Sequence, residues 1–224
     1  MTFSLVGRCG RTGRLGVAVT SSSPAVAARC AWARARTGAV ATQNVTDPAL
    51  GSRVLGALAA GEPAASALAE VLATAPHAEF RQLAVIDAAG RTASHSGART
   101  LGRYGARSGH DCLAAGNLLA GDGVPAAMVH AFEQHPADDL AGRLLAALRA
   151  GVGAGGEEGP VRSCGLLVVD QVAWPVTDLR VDWHDDPVGE LARLLAIWLP
   201  QEADYVKRAV DPTAAPKYGV PGEA

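Results

Sequence analysis

Aromatic side chains are scarce: Phe, Tyr and Trp together make up 4% of the 224 residues. The interior must therefore be built from aliphatic side chains and from alanine and glycine, with helices lying close on sheets through small contacts. Cysteine is equally sparse. Cys9, Cys30, Cys112 and Cys164 stand far apart with no Cys-x-x-Cys pair, which suggests neither a zinc knuckle nor a disulfide framework, and all four are expected to be reduced and mostly buried. No stretch approaches the roughly 20 consecutive apolar residues of a membrane helix. Neither sign of charge dominates: Lys+Arg 20 against Asp+Glu 22 leaves a formal net charge of -2. Without a basic field, nucleic acid is not an expected partner. The opening residues Met1–Arg8 lack both the basic and the apolar region of a secretory leader, so a cytoplasmic protein is expected.

What is present is a chain short enough for one hydrophobic core, with no composition break that marks a linker. A single domain over residues 1–200, followed by a C-terminal helix and Pro-rich tail over 201–224, is the expected organisation. Phe3–Arg8 and Leu15–Ser21 read as strands around a Gly-rich turn, and Pro24–Ala35 as a helix with Pro in its first turn and Ser23 as its cap. A short strand at Gly38–Gln43 precedes two helices, Leu50–Ala60 and Pro63–Ala75. Gln82–Asp87 and Arg91–Ser96 flank Ala88-Ala89-Gly90 as a hairpin, and Gly97–Gly109 reads as loop. Two amphipathic helices, Val124–Gln134 and Asp138–Ala150, lead to strands at Cys164–Asp170, Val172–Pro175 and Asp178–Val181. A helix from Pro187 to about Leu199 follows, and Asp211–Ala224 reads as an extended surface tail. About eight strands and six or seven helices arrive in groups, which is an α+β pattern of antiparallel sheets covered by helices.

Several nucleotide and hydrolase signatures are missing. Gly151–Gly156 follows a helix and lacks the Gly-Lys-Ser/Thr ending of a phosphate loop, so it reads as flexible backbone near a site mouth. No Gly-x-Ser-x-Gly elbow occurs. The six histidines form no i, i+4 ligand pair, so neither metal nor cofactor is expected. Thr2 is the first chemical candidate. If Met1 is removed, its hydroxyl and a free α-amine belong to one residue, and an amine with a reference pKa of about 7.7–8.0 can take the hydroxyl proton near neutral pH. Polar residues at predicted strand ends form a candidate rim: Ser21-Ser22-Ser23, Thr42-Gln43-Asn44, His95-Ser96 and Asn117. Each also has a structural reading, as cap, loop partner or turn residue. In Asp178-Leu179-Arg180-Val181-Asp182 three charges share one strand face, most simply as an ion-pair network, and Asp185 or Asp186 reads as a helix cap.

A series of motifs carries a resemblance. They are Thr2-Phe3-Ser4, Leu15–Ser21, Gly38–Gln43, Arg81-Gln82, Gly116-Asn117-Leu118-Leu119, Met128…Phe132, Arg143–Leu148, Gly155-Gly156, Ser163, Asp178–Asp182 and Pro187. Across roughly the first 190 residues the chain resembles a bacterial family known as domain of unknown function 1028, assigned to the N-terminal nucleophile (Ntn) hydrolase fold. The resemblance implies a four-layer αββα sandwich, two antiparallel sheets between helical layers. It also implies amide-bond hydrolysis, of a small amide, lactam, ureido compound or short peptide. Thr2 would be nucleophile and base, with Thr42, Gln43 and Asn117 supplying donors or substrate contacts and Ser21, Arg81, Gln82 and His95 forming a second tier. Many relatives carry Asp-Arg-Arg-Gly after the Gly-Gly pair, where Glu157-Glu158-Gly159-Pro160 stand here, so a basic role for that loop does not transfer. A retained Met1 would put the amine on the wrong residue and block the mechanism. The alternative is a non-catalytic binding or assembly subunit with the same fold. Either form is expected to be a homo-oligomer, with Trp174, Trp183 and Trp198 offering an apolar patch.

Overall fold

The computed structural model describes residues 1–217. Its organising elements are two antiparallel sheets laid face to face. The larger contains β1 (Thr2–Arg8), β2 (Leu15–Ser21), β7 (Gly105–Gly109), β8 (Cys112–Asn117), β9 (Ser163–Val169) and β10 (Pro175–Val181), in the spatial order β10-β9-β2-β1-β8-β7. The smaller contains β3 (Ala31–Arg34), β4 (Gly38–Asn44), β5 (Arg81–Asp87) and β6 (Thr92–Ser96), in that order. Among the described residues six α-helices cover them: α1 (Ala27–Cys30), α2 (Ala49–Ala59), α3 (Ala64–Ala73), α4 (Val124–Glu133), α5 (Leu140–Gly153) and α6 (Pro187–Val210).

Alternation along each strand sorts side chains between two cores. Phe3 and Leu5 of β1 point outward and join Met128, Phe132, Leu144 and Leu148 beneath α4 and α5, with Leu191 and Leu195 of α6 in the same cluster. Val40, Leu83 and Val85 of the smaller sheet point the other way, against Leu50, Val54 and Leu68 of α2 and α3. Between the sheets lie Val6, Val17, Ala39, Ala41, Ala84, Ile86, Leu113 and Ala115. Alanines from both sheets alternate here with Val, Leu and Ile, and among the described residues the layer contains no aromatic ring. The two sheets can approach closely only where their facing side chains are this short.

Several expected elements differ. The helix expected over Pro24–Ala35 shrinks to one turn, and Ala31–Arg34 instead pairs with Gly38–Ala41 as an edge strand. Ala25 has φ 50, and the backbone N–H of Val26 is satisfied by Ser163 Oγ at 3.1 Å, so Ser23 is not the cap. Long-range strand pairing has overridden local helix propensity. The segment 105–109, expected as loop, is the exposed edge strand β7, too polar on both faces to show a period-two pattern. Val172–Ala173 form no strand; β10 starts at Pro175 and carries a register shift before Thr177. Cys112–Asn117, for which no element is expected, is the interior strand β8, and ten strands result among the described residues, against about eight expected.

Helix α6 runs through Pro200 to Val210 instead of ending near Leu199. Proline removes one helical N–H, but anchors on either side hold the helix: Leu195 is buried in the core, and Glu202 pairs with Arg14 at 2.8 Å. Thr177 Oγ1 also donates to Glu202. The expected tail over 211–224 is described only to residue 217; Pro221 lies outside the described residues. Trp198 is used internally, donating to Val176 O and Thr177 Oγ1 and stacking on Tyr205, while Trp174 and Trp183 are exposed. Among the described residues no helix is long and apolar enough to cross a membrane. The four cysteines are free and buried.

Candidate functional site

At one end of the sandwich the inner layer turns polar. Thr2 begins β1, Ser21 ends β2 and Asn117 ends β8, while Gln43, Gln82 and Ser96 lie at the same end of the smaller sheet. Ladder partners share a face, so the pairs Thr2↔Asn117, Gln43↔Gln82 and Gln82↔Ser96 bring these side chains together between the sheets. Ser4, two residues beyond Thr2, follows on the same face.

One backbone carbonyl fixes the orientation of the whole amide network. Gly116 O can only accept, so the atom of Gln82 facing it at 2.9 Å is Nε2, which also reaches Ser96 Oγ at 3.0 Å. Gln82 Oε1 then accepts from Gln43 Nε2 at 2.8 Å and from Asn117 Nδ2 at 3.1 Å. Gln43 Oε1 in turn accepts from Ser4 Oγ at 2.7 Å. Asn117 Oδ1 is left buried and without a donor. Gln82 is fully buried, so this network crosses the gap between the sheets and holds their ends at a fixed spacing.

Thr2 is 6% exposed and lies behind Met1. Its Oγ1 sits 3.2 Å from Ser21 Oγ, and both hydroxyls donate to the carbonyl oxygen of Met1. Two hydroxyl donors thus already converge on one carbonyl oxygen at the end of β1. With Met1 in place, however, both hydroxyl protons are committed to it, while Ser21 Oγ also accepts from Ser23 N at 3.1 Å. The Met1 side chain extends to the loop after α5, where a Cβ on Gly159 would come 3.2 Å from its terminal methyl. That loop also walls a cavity of about 300 Å³ lined by Val152, Glu157, Pro160, Val161 and Val188.

Thr42 is adjacent to Gln43 and therefore faces the opposite side, where Oγ1 donates to Arg29 O at 3.2 Å and accepts from Thr46. Arg81 and His95 likewise occupy the outer face: Arg81 donates to Val45 O at 2.6 Å and His95 Nε2 lies 3.0 Å from Ala78 O. The geometry therefore gathers Thr2, Ser21, Gln43, Gln82 and Asn117, and holds Thr42, Arg81 and His95 apart from them. Sequence reasoning passed over Ser4, although strand alternation from Thr2 predicts its face. It also passed over Glu157, which is placed by pairing of its loop with residues 118–120 and carries no local signal of its own.

Glu157 is 4% exposed, and neither carboxylate oxygen has a hydrogen-bond partner. Burial pushes its carboxyl up to about 7, against a smaller downward pull from the N-terminal amine. The Ser22 hydroxyl and amide pull the same way, without reaching regular hydrogen-bond geometry. Among the described residues no group of three or more His, Cys, Asp or Glu side chains could hold a metal ion.

No curated protein matches the chain. A crystal structure of a protein from Silicibacter pomeroyi, itself of family DUF1028, superposes with a TM-score of 0.84 at 29% identity, covering 92% of this chain and 94% of that one. A family model matches residues 2–191, and the chain accordingly belongs to the family of unknown function DUF1028.

Proposed function

We propose that the protein is an Ntn-type amidohydrolase acting on a small amide, lactam, ureido compound or short peptide, with Thr2 as nucleophile once Met1 has been removed. The arrangement of helices, two face-to-face antiparallel sheets and helices is compatible with the Ntn sandwich. The observation that carries the reading is the convergence of Thr2 Oγ1 and Ser21 Oγ on the carbonyl oxygen of Met1, at the strand end where the polar network lies. Loss of Met1 frees both hydroxyls and leaves the space of that carbonyl open to a substrate acyl group. The Thr2 α-amine would take the hydroxyl proton, Oγ1 would attack the acyl carbon, and the amine would return the proton to the leaving nitrogen. Water would then hydrolyse the ester. Ser21 is the nearest donor for the oxyanion; removing one such donor costs about 2.7–4 kcal/mol of barrier in a well-measured acyl-transfer enzyme.

Intact mass spectrometry of active protein tests the first requirement, since it must lack one methionine. Thr2→Ala should then abolish turnover across a panel of small amides and abolish labelling by a β-lactone acylating probe, with unfolding unchanged. Retention of Met1 in protein that turns over amide would overturn the reading. A specific observation favours the second reading, a non-catalytic binding or assembly subunit: Thr2 is buried, with both hydroxyls tied to Met1. Under it, Thr2→Ala leaves binding unchanged and the probe labels nothing.

A further inference from the structure

A buried carboxylate without regular hydrogen bonds is among the costliest groups a fold can retain, and Glu157 is one. Neither of its oxygens has a donor in regular geometry, although the Ser22 hydroxyl and amide act on it. Its place is set by backbone pairing: Ala120 N donates to Gly156 O at 3.0 Å, Glu158 N donates to Leu118 O at 2.9 Å, and Leu119 and Glu157 form a bridge. Residues 118–120 directly follow Asn117, the ladder partner of Thr2, so Glu157 lies beside the start of β1. The turn that delivers it needs left-handed backbone at Gly155 (φ 108) and Gly156 (φ 62), which glycine alone adopts freely. Met1 covers the same loop at Gly159, and the N-terminal amine is the positive charge that acts on the carboxylate.

We infer that Glu157 is a positioning residue for the nucleophile: in the protein lacking Met1, its carboxylate pairs with the α-ammonium of Thr2 and fixes the amine beside the Thr2 hydroxyl. The inference rests on the proposed role of Thr2. Removal of Met1 creates the new amine within one residue, about 3.5 Å of chain, of the amine that already acts on Glu157. The valences also match. An ammonium brings three N–H donors, and the orphaned acceptors here are the two Glu157 oxygens and Asn117 Oδ1. When the shared proton resides on the carboxyl, the amine is neutral and able to accept the threonine proton. Other titratable or charged groups around this point are Cys30, which burial pushes to about 11 and which feels the same terminal charge, and Asp185 and Asp186 across the cavity. Arg103 is turned to the Leu119 and Ala120 carbonyls.

The test uses the full chain released from a cleavable N-terminal fusion so that Thr2 is the first residue. Acetylation of its α-amine by acetic anhydride is followed by peptide mass spectrometry as a function of pH. The expected result is an amine that titrates above the reference of about 7.7–8.0, and a Glu157→Gln variant that reacts about tenfold faster near neutral pH. Glu158→Gln, on an exposed neighbour, should match the parent. Glu157→Asp keeps the charge at a greater distance and should fall between, which covers failure of the Gln variant to fold. Coincident profiles for the parent and either Glu157 variant would overturn the pair. Amide turnover that requires Thr2, with coincident profiles, removes the pair and leaves the hydrolase. A shifted amine with no turnover of any amide leaves the pair and removes the hydrolase.

Discussion

Glu157→Gln in the chain that still carries Met1 is expected to change how stability depends on pH. Burial raises the Glu157 carboxyl from 4.5 to about 7, with the N-terminal amine and Ser22 opposing. The folded protein therefore keeps a proton through a range in which the unfolded chain has lost it, and stability falls as pH rises from about 4.5 to about 7. A displacement of this size corresponds to about 3 kcal/mol between the protonation states. Glutamine cannot titrate, and whatever its amide costs in the site is the same at every pH. The stability gap between variant and parent should thus widen in favour of the variant by about 3 kcal/mol from about pH 4 to about pH 8. For a chain of this size that is a relative shift in Tm of roughly 6–12 °C. Thermal unfolding followed by circular dichroism across that range measures it. A gap that stays constant with pH would refute this reading and show that the amine and Ser22 fully offset the desolvation of this carboxyl. In the chain that begins at Thr2, pairing with the new ammonium lowers the carboxyl, and the widening should shrink.

Gln82→Leu should cost about 3 kcal/mol or more in urea unfolding, because it orphans Gln43, Asn117 and the Gly116 carbonyl at once in a fully buried position. A cost below about 1 kcal/mol would mean that water or a rearranged amide replaces it. Arg14 ties Asp139, Asp170 and Glu202 together at 3.0, 2.9 and 2.8 Å, linking β2, the start of α5, the end of β9 and α6. Arg14→Met leaves the buried Glu202 carboxylate unpaired, with an expected loss of about 3 kcal/mol. Amide exchange should accelerate first in residues 200–210; uniform acceleration across the chain would contradict a local anchor.

Much of the fold was legible because long elements carry their own period. The hairpin at 81–96, the paired helices α2–α3 and α4–α5, and the grouping of strands that signals antiparallel sheets all follow from local pattern and turn chemistry. Two of the missed strands share one cause, while the third, β8, is an interior strand whose Leu-Ala-Ala-Gly run hides its period. β3 and β7 are edge strands held by a single neighbour, so partners distant in sequence, not local alternation, decide their conformation. The end of α6 was hidden similarly: Pro200 is a stop signal that the Arg14–Glu202 pair, spanning most of the chain, overrides.

The same division runs through the site. Gln43, Asn117 and Thr2 could be named from their positions near strand ends, but the face each presents depends on register. Thr42 shows this: it is one residue from Gln43 and belongs to the other side of the sheet. A list of polar residues near a strand end therefore contains roughly two alternating sets, and only one can line a given space. Glu157 is the opposite case, since nothing in its local sequence marks a carboxylate for burial. Its burial comes from a left-handed glycine pair that folds an acidic loop back against residues 118–120. The Gln43–Gln82–Asn117 network is legible from strand ends once the register is known, whereas Glu157 joins the site only when that loop is placed against residues 118–120.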